Sequence, residues 1–541
     1  MNDRSNGDEY VPVLIAGGSL VGLSAAVFLG RLGIQHRVVE RHAALSTHPR
    51  ARRNNIRTME LFRTAALEPE IRKAAGTLSH NRGILRVDTL HGEHREWLEA
   101  PIAGRPPEVD LCSTVRCDCS QYDLEPVLLH GARDLGGDVR FGTELLSFSQ
   151  DGHGVDAVVR SADSGETRRV RADYLLAADG PRSPVRERLG IGQSGAGDLF
   201  HRVSVTFRSK RLREVVGEER FILCYVTDPS GEGLLQPVDN KEQWVFQLPW
   251  FPERGQTVEH LTDDRCAGHI RAAAGVRDLD VEITSKALWR ASERLADRYR
   301  DGRVFLIGDS AHEMPPTGAF GANTGIQDAH NLVWKVAAVL RGWAGPGLLD
   351  SYESERRPVA QVTSAQATLR APGAQRSGHT ARTSADNSID PMTVALGYRY
   401  VSAAVVGADA GAPTIPDHLH LSADPGTRAP HMRVTHNGAR ISTIDLYERS
   451  FVLLCGRPDW REAAQAAGGR LNVPLDAYLI GSGAGYDLDT GHGPHWSTVH
   501  GTTPDGAVLV RPDGFVAWRT DSEPTDGEGE LAAVLLRVLG R

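Results

Sequence analysis

Cysteine is scarce in this sequence, with six residues in a chain of 541. So few thiols cannot form the dense disulfide framework of a small secreted protein, and they favour a reduced, cytoplasmic chain. Three of them form one short cluster, but no second group of ligands follows at the spacing of a zinc site. We therefore expect no metal. The cysteines are Cys112, Cys117, Cys119, Cys224, Cys266 and Cys455.

Charge of one sign and long apolar runs are also missing. The formal net charge of −8 is small for this length, and no basic patch indicates nucleic acid as a partner. The uncharged run over residues 11–30 contains four glycines and two serines, which argues against a membrane span. The segment before it is polar and acidic, unlike the basic start of a signal peptide. We expect a soluble cytoplasmic protein without a membrane or nucleic-acid partner, either a monomer or a homodimer.

Glycine, in contrast, is abundant, and one glycine-rich stretch nearly matches the dinucleotide-binding pattern G-x-G-x-x-G. Residues 13–30 are VLIAGGSLVGLSAAVFLG, in which Ser19 replaces the second glycine between Gly17 and Gly22. An apolar run typical of a strand precedes the turn, an apolar helix pattern follows it, and HRVVE predicts a second strand that ends at Glu40. This order of strand, turn, helix and strand predicts an ADP-binding turn.

Each position of this turn has a separate task. Gly17 allows the tight turn, Gly22 allows the helix to pack against the strand, and backbone N–H groups would hold a pyrophosphate. Ser19 keeps its N–H group, and its hydroxyl can also donate to a phosphate oxygen. Glu40 is placed to accept both hydroxyl groups of an adenosine ribose. We therefore expect the turn to bind ADP despite the missing glycine.

Two later segments indicate which dinucleotide is bound. In residues 174–191, YLLAADGPRSPVRERLGI, a buried strand ends at Asp179. In residues 302–340 a strand ends at Asp309, a loop rich in proline and glycine follows, and a helix begins near Asn323. A carboxylate at the end of a strand can bind sugar-alcohol hydroxyls, and a glycine loop before a helix presents N–H donors to a developing anion.

These three segments, in this order, resemble the class A FAD-dependent aromatic monooxygenases of the p-hydroxybenzoate hydroxylase type. Within that class the sequence is most similar to the aromatic polyketide hydroxylases of actinomycete antibiotic pathways. The resemblance implies an α/β fold with three parts: a Rossmann-like FAD-binding domain, an inserted antiparallel-sheet substrate domain and a C-terminal thioredoxin-like domain.

The resemblance also implies residues for each part of FAD. By this resemblance, Glu40 and Arg41 would bind the adenosine part and Asp309 the ribityl chain. Pro315 and the loop 318–323 would line the isoalloxazine ring. The implied cofactor-binding residues are Gly17, Ser19, Leu20, Val21, Gly22, Glu40, Arg41, Arg50, Gln121, Leu145, Asp179, Asp309, Pro315, Gly318, Gly321, Ala322 and Asn323.

Three further matches support this set. Gln121, in SQYDLEPVLL, matches the flavin-contacting glutamine of the family, and Leu145 sits where a backbone group meets adenine. The segment 48–63 matches the part of the family that packs near the flavin. Relatives often carry glycine where this chain has Arg52 or Arg53.

The remaining sequence predicts the domain organisation. Residues 200–285 alternate apolar and polar side chains in several runs, which predicts an antiparallel sheet between the later motifs. The C-terminal part has a βαβ pattern followed by a hairpin and resembles a thioredoxin-like domain. Cys455 has no partner in a C-x-x-C motif, so we expect a structural or interface role there. The expected domains are 1–185 for the first part of the FAD-binding domain, 186–285 for the substrate-binding sheet, 286–400 for the second part with linker helices, and 401–541 for the thioredoxin-like domain.

Three aromatic residues of the inserted sheet are candidates for substrate contact. Trp244, Phe246 and Trp250 alternate along one strand and would offer their rings to a flat polycyclic ligand. The same alternation is also typical of the ordinary core of a sheet, so both interpretations stay open.

The implied function is NAD(P)H-dependent hydroxylation of a polycyclic aromatic, polyketide-type substrate with FAD and O₂. By the family's mechanism, reduced flavin adds O₂ at C4a and the distal oxygen of the hydroperoxide passes to an electron-rich ring; we therefore assign no catalytic acid or base. The sequence has no second G-x-G-x-x-G, which agrees with NADPH or NADH visiting transiently. Asp179 matches the family motif associated with both nucleotides. A Baeyer–Villiger oxygenase acting on a similar polycyclic ketone or quinone is the alternative, and a flavin-dependent halogenase or a redox-inert FAD-binding scaffold also stays open.

Overall fold

The computed structural model describes residues 9–46, 51–81, 83–99, 111–371 and 388–541. Arg50, one of the implied flavin residues, lies outside the described residues. The elements up to residue 188 are β1 (Glu9–Ala16), α1 (Leu20–Arg31), β2 (His36–Val39), β3 (Arg53–Asn54), α2 (Ile56–Thr64), α3 (Glu68–Ala74), β4 (Ile84–Val87), β5 (Arg95–Glu99), β6 (Cys117–Asp118), α4 (Gln121–Asp134), β7 (Asp138–Arg140), β8 (Thr143–Gln150), β9 (Val155–Ser161), β10 (Thr167–Ala177) and α5 (Pro184–Arg188).

The rest of the chain supplies the other strands and helices. The elements from residue 193 to residue 396 are β11 (Gln193–Arg208), α6 (Leu212–Val216), β12 (Leu223–Val226), β13 (Gly233–Pro237), β14 (Gln243–Trp250), α7 (Asp263–Ala274), β15 (Glu282–Ala296), β16 (Arg300–Asp301), β17 (Val304–Leu306), β18 (His312–Glu313), α8 (Phe320–Leu340), α9 (Ser351–Leu369) and α10 (Pro391–Leu396). The last elements are β19 (Arg433–His436), β20 (Ala439–Ser442), β21 (Phe451–Cys455), α11 (Pro458–Leu471), β22 (Leu475–Gly481), β23 (Leu488–Asp489), α12 (Trp496–Val499), β24 (Ala507–Val510), β25 (Val516–Thr520) and α13 (Gly527–Val538).

The first sheet is mainly parallel and has β1 at its centre. Its order is β16-β17-β10-β1-β2-β7, and the ribbon of β8 and β9 joins it through β10. Strands covered on both faces are near-continuous apolar runs, and Val13, Leu14 and Ile15 of β1 are fully buried. Because β1, β10 and β17 are parallel neighbours, their carboxyl ends meet at one edge of the sheet. This arrangement confirms the predicted Rossmann-like part of the fold.

The second sheet is mainly antiparallel and has the order β18-β15-β11-β14-β13-β12-β4-β5. Its central strands come from the segment in which the sequence alternates. The sheet is larger than that segment, because the hairpin of β4 and β5 pairs with β12 and β15 continues to Ala296. Helix α7 packs on one face only, and its apolar residues belong to the same buried cluster as the sheet residues Val205 and Phe207.

The third sheet has the order β20-β19-β23-β22-β21-β24-β25. Strands β21 and β22 are parallel and joined by α11, and β24 and β25 form an antiparallel hairpin, as in a thioredoxin-like fold. Cys455, the last residue of β21, is buried, and its Sγ lies 3.5 Å from the Tyr478 carbonyl oxygen. Burial raises the pKa of this thiol to about 12, so the thiol stays protonated at neutral pH.

Buried ion pairs attach the third sheet to the helices of the first. Glu355 of α9 accepts hydrogen bonds from Lys335 at 2.7 Å and from Arg511 at 2.6 and 2.9 Å, and all three side chains are fully buried. Glu60 of α2 pairs with Arg428 in the same way. Burial alone would raise the pKa of Glu60, but the Arg428 guanidinium lowers it to about 2. These contacts make the C-terminal unit a fixed support for α2, α8 and α9.

The described part of the chain offers neither a membrane-spanning helix nor a metal-binding cluster. None of its helices combines the length and the apolarity that crossing a bilayer requires. Within the same residues, no three His, Cys, Asp or Glu side chains come together in a way that would hold a metal ion.

Candidate active site

The glycine turn between β1 and α1 depends on two positions without a side chain. Gly17 has a φ of +106°, its N–H donates to the Val39 carbonyl at 2.9 Å, and a Cβ there would lie 2.2 Å from the Ala178 carbonyl oxygen. A Cβ on Gly22 would lie 1.9 Å from the Gly17 carbonyl oxygen. Neither clash can be relieved by a side-chain rotation, because the obstacles are backbone atoms. The turn therefore has the tight shape that phosphate binding at a helix N-terminus requires.

Ser19 occupies the N-cap of α1 with φ −102°, a conformation that does not need glycine. Its hydroxyl donates to Glu125 Oε1 at 2.5 Å and accepts a hydrogen bond from Gln121 Nε2 at 3.1 Å. Gln121 also donates to Glu125 at 2.7 Å. The sequence suggested a phosphate oxygen as partner for this hydroxyl, but a buried carboxylate of α4 takes it. The backbone of the turn thus remains the anion-binding element.

Glu40 follows β2 and lies directly beside the glycine turn. Its Oε2 accepts the Gly18 N–H at 2.7 Å, while its Oε1 accepts the His42 N–H at 2.9 Å. A carboxylate at this place can accept ribose hydroxyls from a nucleotide whose phosphates lie on the turn. The exposed Arg41 follows it and borders a cavity of about 360 Å³, next to the β8–β9 ribbon that contains Leu145.

The second motif lies at the end of β10. Asp179 Oδ2 accepts the Val185 N–H at 3.0 Å and so holds the start of α5. Its Oδ1 is buried and has no partner among the described residues, and burial raises the pKa of this carboxyl group. Gly180 follows with φ +84°. Asp179 therefore caps a short helix and also keeps one oxygen available for a hydrogen-bond donor.

The third motif lies at the end of β17 and touches the first. Gly308 has φ +64°, and a Cβ there would lie 2.8 Å from Cγ2 of Val21, in the first turn of α1. The Gly308 N–H donates to Asp328 Oδ2 at 3.2 Å, and Arg356 Nε donates to the other oxygen of Asp328 at 2.7 Å. Asp309, the next residue, is exposed at this turn. The fold thus brings the implied ribityl-binding carboxylate next to the glycine turn.

The loop before α8 is held by an asparagine. Asn323 Oδ1 accepts the Asn55 N–H at 2.9 Å, and its Nδ2 donates to the carbonyls of Arg53 at 2.9 Å and Ala319 at 2.7 Å. Gly318 has φ +80°, which a side chain would strain. The buried Pro315 precedes this loop, and Gly321 and Ala322 lie in the first turn of α8, whose N–H groups lack acceptors within the helix. The amide of Asn323 thus joins the loop to the β3 ribbon.

The aromatic residues of β14 lie on the face of the second sheet that α7 covers. Successive side chains of a strand lie on opposite faces of a sheet. Trp244 and Phe246 are 1% and 0% exposed and lie in the core against α7, as the core interpretation of the alternation expects, and their contact with a substrate stays a prediction. Trp250 points to the same face of the sheet as Trp244 and Phe246, is half-buried and packs against that core. The centroid of its ring lies 5.9 Å from that of the His201 ring. The core interpretation of the alternation therefore holds for the first two residues.

The opposite face of the second sheet is not covered by α7. A row of cross-strand neighbours runs across it, and every member is half-buried. Gln247 Nε2 donates to Gln236 Oε1 at 2.8 Å on this face. The row consists of Tyr225, Leu234, Gln247, Ser204 and Ala287. We call this surface the cleft face.

Arg52 connects the end of β13 in the second sheet with the ribbon beside the flavin loop. It belongs to the ribbon that Asn323 holds, and its Nη1 donates to the carbonyl oxygen of Pro237 at the end of β13. Sequence reasoning missed Arg52 as a site residue, and also Glu125 and Asp328, because only the fold shows which motif each of them supports. The one available signal was the spacing of Gln121 and Glu125, which places them on one face of α4.

FAD fits these residues. The turn is too tight for a Cβ at Gly17 or Gly22, Asp179 keeps a buried oxygen without a partner among the described residues, and the exposed Asp309 lies beside the turn. A dinucleotide lying along the edge formed by β1, β10 and β17 would extend from Glu40 to the loop before α8.

Comparison with known proteins agrees with this geometry. The FAD binding domain family matches residues 10–367, and the aromatic-ring hydroxylase C-terminal family matches residues 422–541. The chain is 58% identical over 550 residues to a putative polyketide hydroxylase of Streptomyces halstedii, covering 100% of this chain and 99% of the relative. It is 41% identical over 566 residues to the tetracenomycin A2 monooxygenase-dioxygenase of Streptomyces glaucescens, covering 98% and 97% of the two chains.

A solved structure resembles the whole chain. The crystal structure of a ternary complex of aklavinone-11 hydroxylase with FAD and aklavinone matches it with a TM-score of 0.88 and 37% identity, over 100% of both chains. The matches extend across all three sheets and both family segments. The chain is therefore an FAD-dependent monooxygenase that belongs to the class A aromatic-ring hydroxylases, within the group of aromatic polyketide hydroxylases.

Proposed function

We propose that the protein hydroxylates a polycyclic aromatic, polyketide-type substrate and consumes NADPH or NADH. The observation that supports this most directly is the cleft face, a row of half-buried side chains on the face of the second sheet opposite α7. One O₂ and one NAD(P)H would be consumed for each hydroxyl group formed, and the second oxygen atom would leave as water. When bound and reduced, FAD supplies the activation of O₂ along the route that the resemblance implies.

The residues of this chain hold and orient the reactants in this proposal. Glu40 and Arg41 hold the adenosine part, Asp309 holds the ribityl chain, and the first turn of α8 offers N–H groups to negative charge on the ring system. The cleft face holds the substrate ring and excludes water. Asn323 supports the geometry by joining the loop to the β3 ribbon. The reductant has no permanent site and approaches the flavin from solvent.

The domain division belongs to the same proposal. We assign 1–185 and 286–400 to the FAD-binding part, 186–285 to the substrate sheet and 401–541 to the C-terminal domain, with the hairpin of β4 and β5 added to the sheet. We further propose that the protein acts in the cytoplasm as a monomer or homodimer. Size-exclusion chromatography with light scattering tests the oligomeric state.

The test of this function uses the holoenzyme, a panel of hydroxylated anthraquinones and tetracyclic polyketides, and isotopically labelled O₂. NADPH and NADH oxidation, peroxide release and product mass are measured together. The proposal expects substrate-stimulated oxidation of one or both nucleotides and a product with one labelled oxygen and intact carbon rings. A ring-expanded lactone of the same mass would favour Baeyer–Villiger chemistry instead. No oxidation with any substrate would favour a redox-inert scaffold.

A further inference from the structure

Arg52 differs from three other buried arginines of this protein, Arg356, Arg428 and Arg511. Its side chain is only 5% exposed, yet it forms no ion pair with a described carboxylate. Arg356, Arg428 and Arg511 are equally buried, and each faces a carboxylate within hydrogen-bond distance. A buried guanidinium without a counter-charge is costly, because its hydration is lost and little replaces it.

The hydrogen bonds of Arg52 are also incomplete. Its Nη1 donates to the Pro237 carbonyl, but Nε and Nη2 are buried and have no acceptor among the described residues. Burial lowers its pKa to about 10, and Asp123 opposes that change from a distance. The group therefore stays charged at neutral pH with two donors unused. Such a group in a native structure requires an explanation, and a missing ligand is one.

The position of Arg52 limits what that ligand is. The β3 ribbon that carries it is held to the flavin loop through Asn323, and its guanidinium reaches the end of β13 on the second sheet. The guanidinium therefore lies at the junction of the flavin-loop ribbon and the second sheet, and a ligand bound at that junction would be the one to reach its two unused N–H groups. Guanidinium groups bind carboxylate-like, phenolate or carbonyl oxygens in preference to apolar carbon.

We propose that Arg52 binds a phenolic oxygen on the edge of the polycyclic substrate and so selects substrates hydroxylated at that edge. This inference rests on the proposed function and names the chemical class that the site takes. It makes Arg52 a substrate-binding residue.

The experiment measures binding of two probes to the FAD-loaded enzyme by perturbation of the flavin absorbance. The probes are 1,8-dihydroxyanthraquinone and unsubstituted 9,10-anthraquinone. Arg52→Met keeps the apolar stem and removes the charge, and Arg52→Lys keeps the charge but loses the fork of donors. Lys286→Met is the control, because Lys286 is an exposed cation of the same sheet that pairs with Asp263.

The proposal expects Arg52→Met to raise the dissociation constant of the dihydroxy probe at least tenfold and to change that of the parent less than threefold. The dissociation constant of the dihydroxy probe for Arg52→Lys should lie between those for the wild type and Arg52→Met. For Lys286→Met it should equal that of the wild type. The melting temperature of Arg52→Met should stay the same or rise, because an unpaired buried charge is removed. A structural role through Pro237 predicts a lower melting temperature instead.

Three outcomes would overturn the inference. Equal weakening of both probes would show that Arg52 shapes the site without contacting a substrate oxygen. Loss of FAD from Arg52→Met at unchanged stability would assign the two donors to the flavin. Wild-type enzyme that binds neither probe would show that the site does not take this class. Failure of the proposed function looks different, since the probes would still be distinguished while no oxygenated product forms.

Discussion

The edge of the first sheet, where FAD fits, and the second sheet, which we propose binds the substrate, restrict their residues in different ways. At the edge of the first sheet, a single added carbon on Gly17 or Gly22 would strike backbone atoms. On the second sheet, Phe246 and Gln247 are neighbours in sequence, yet one is core and the other lies on the cleft face. The cofactor side therefore depends on local steric limits, whereas the substrate side depends on which face a residue occupies.

The largest effect should come from adding a side chain where the glycine turn has no room for one. We expect Gly22→Val to purify without FAD, because its Cβ would lie 1.9 Å from the Gly17 carbonyl oxygen and push α1 away from the turn. The ratio of flavin to protein absorbance measures this. Gly268→Val is the matched control, since a Cβ there meets nothing within 4 Å on the exposed side of α7. A yellow Gly22→Val protein would contradict this view of the turn.

The next prediction compares one substitution on each face of β14. Phe246→Ala should lower the free energy of unfolding by about 3–5 kcal/mol, because a buried ring leaves a cavity. Gln247→Ala should cost only about 0.5–1.5 kcal/mol for its hydrogen bond to Gln236, but it should raise KM and the NAD(P)H consumed per product. Urea unfolding and coupled turnover assays measure both. Altered KM in Phe246→Ala with unchanged stability would reverse the assignment of the faces.

A third prediction concerns the contact between α2 and the third sheet. The pKa of Glu60 is about 2 in the folded protein, which is lower than in the unfolded chain. The ionised Glu60 paired with Arg428 therefore stabilises the fold above about pH 4.5, and this stabilisation is lost as pH falls toward 2. The amount is roughly 3 kcal/mol. Unfolding free energies between about pH 5 and pH 3 should therefore fall less steeply in Glu60→Gln than in the wild type. Equal slopes, with the exposed Glu214→Gln as control, would rule out this linkage.

Asp309→Ala should have a moderate effect on the cofactor side. Removing the carboxylate would leave ribityl hydroxyls without an acceptor at a cost of about 1–3 kcal/mol. The dissociation constant of FAD should then rise about five- to a hundredfold. Fluorescence titration of the apoprotein measures it. An unchanged constant would remove Asp309 from the site.

Ser19→Gly should have the smallest effect. Glycine is nearly as good as serine at an N-cap, and the hydroxyl contacts Glu125 while the backbone N–H groups of the turn are kept. FAD affinity should change by less than about threefold, a few tenths of a kcal/mol. A protein that loses FAD would show that the bond between Ser19 and Glu125 sets the shape of the turn.

The three cofactor motifs and their sheet were predictable from the sequence alone. Glycines, strand-end carboxylates and helix patterns follow one another over short distances, so each motif carries its own backbone requirement. The same local logic predicted the thioredoxin-like unit and the absence of a dithiol motif at Cys455. The alternation in the second sheet was also visible, but alternation does not say which of two faces meets a helix and which meets a ligand.

That choice required the tertiary structure. Helix α7 covers the face of Phe246 and leaves the face of Gln247 half-buried, although nothing near either residue in sequence indicates it. The partners of Glu125, Asp328 and Arg52 are likewise set by contacts between distant segments. Only the fold distinguishes the paired arginines from Arg52, because a missing counter-charge is a property of the space around a residue and leaves no trace in its sequence neighbours.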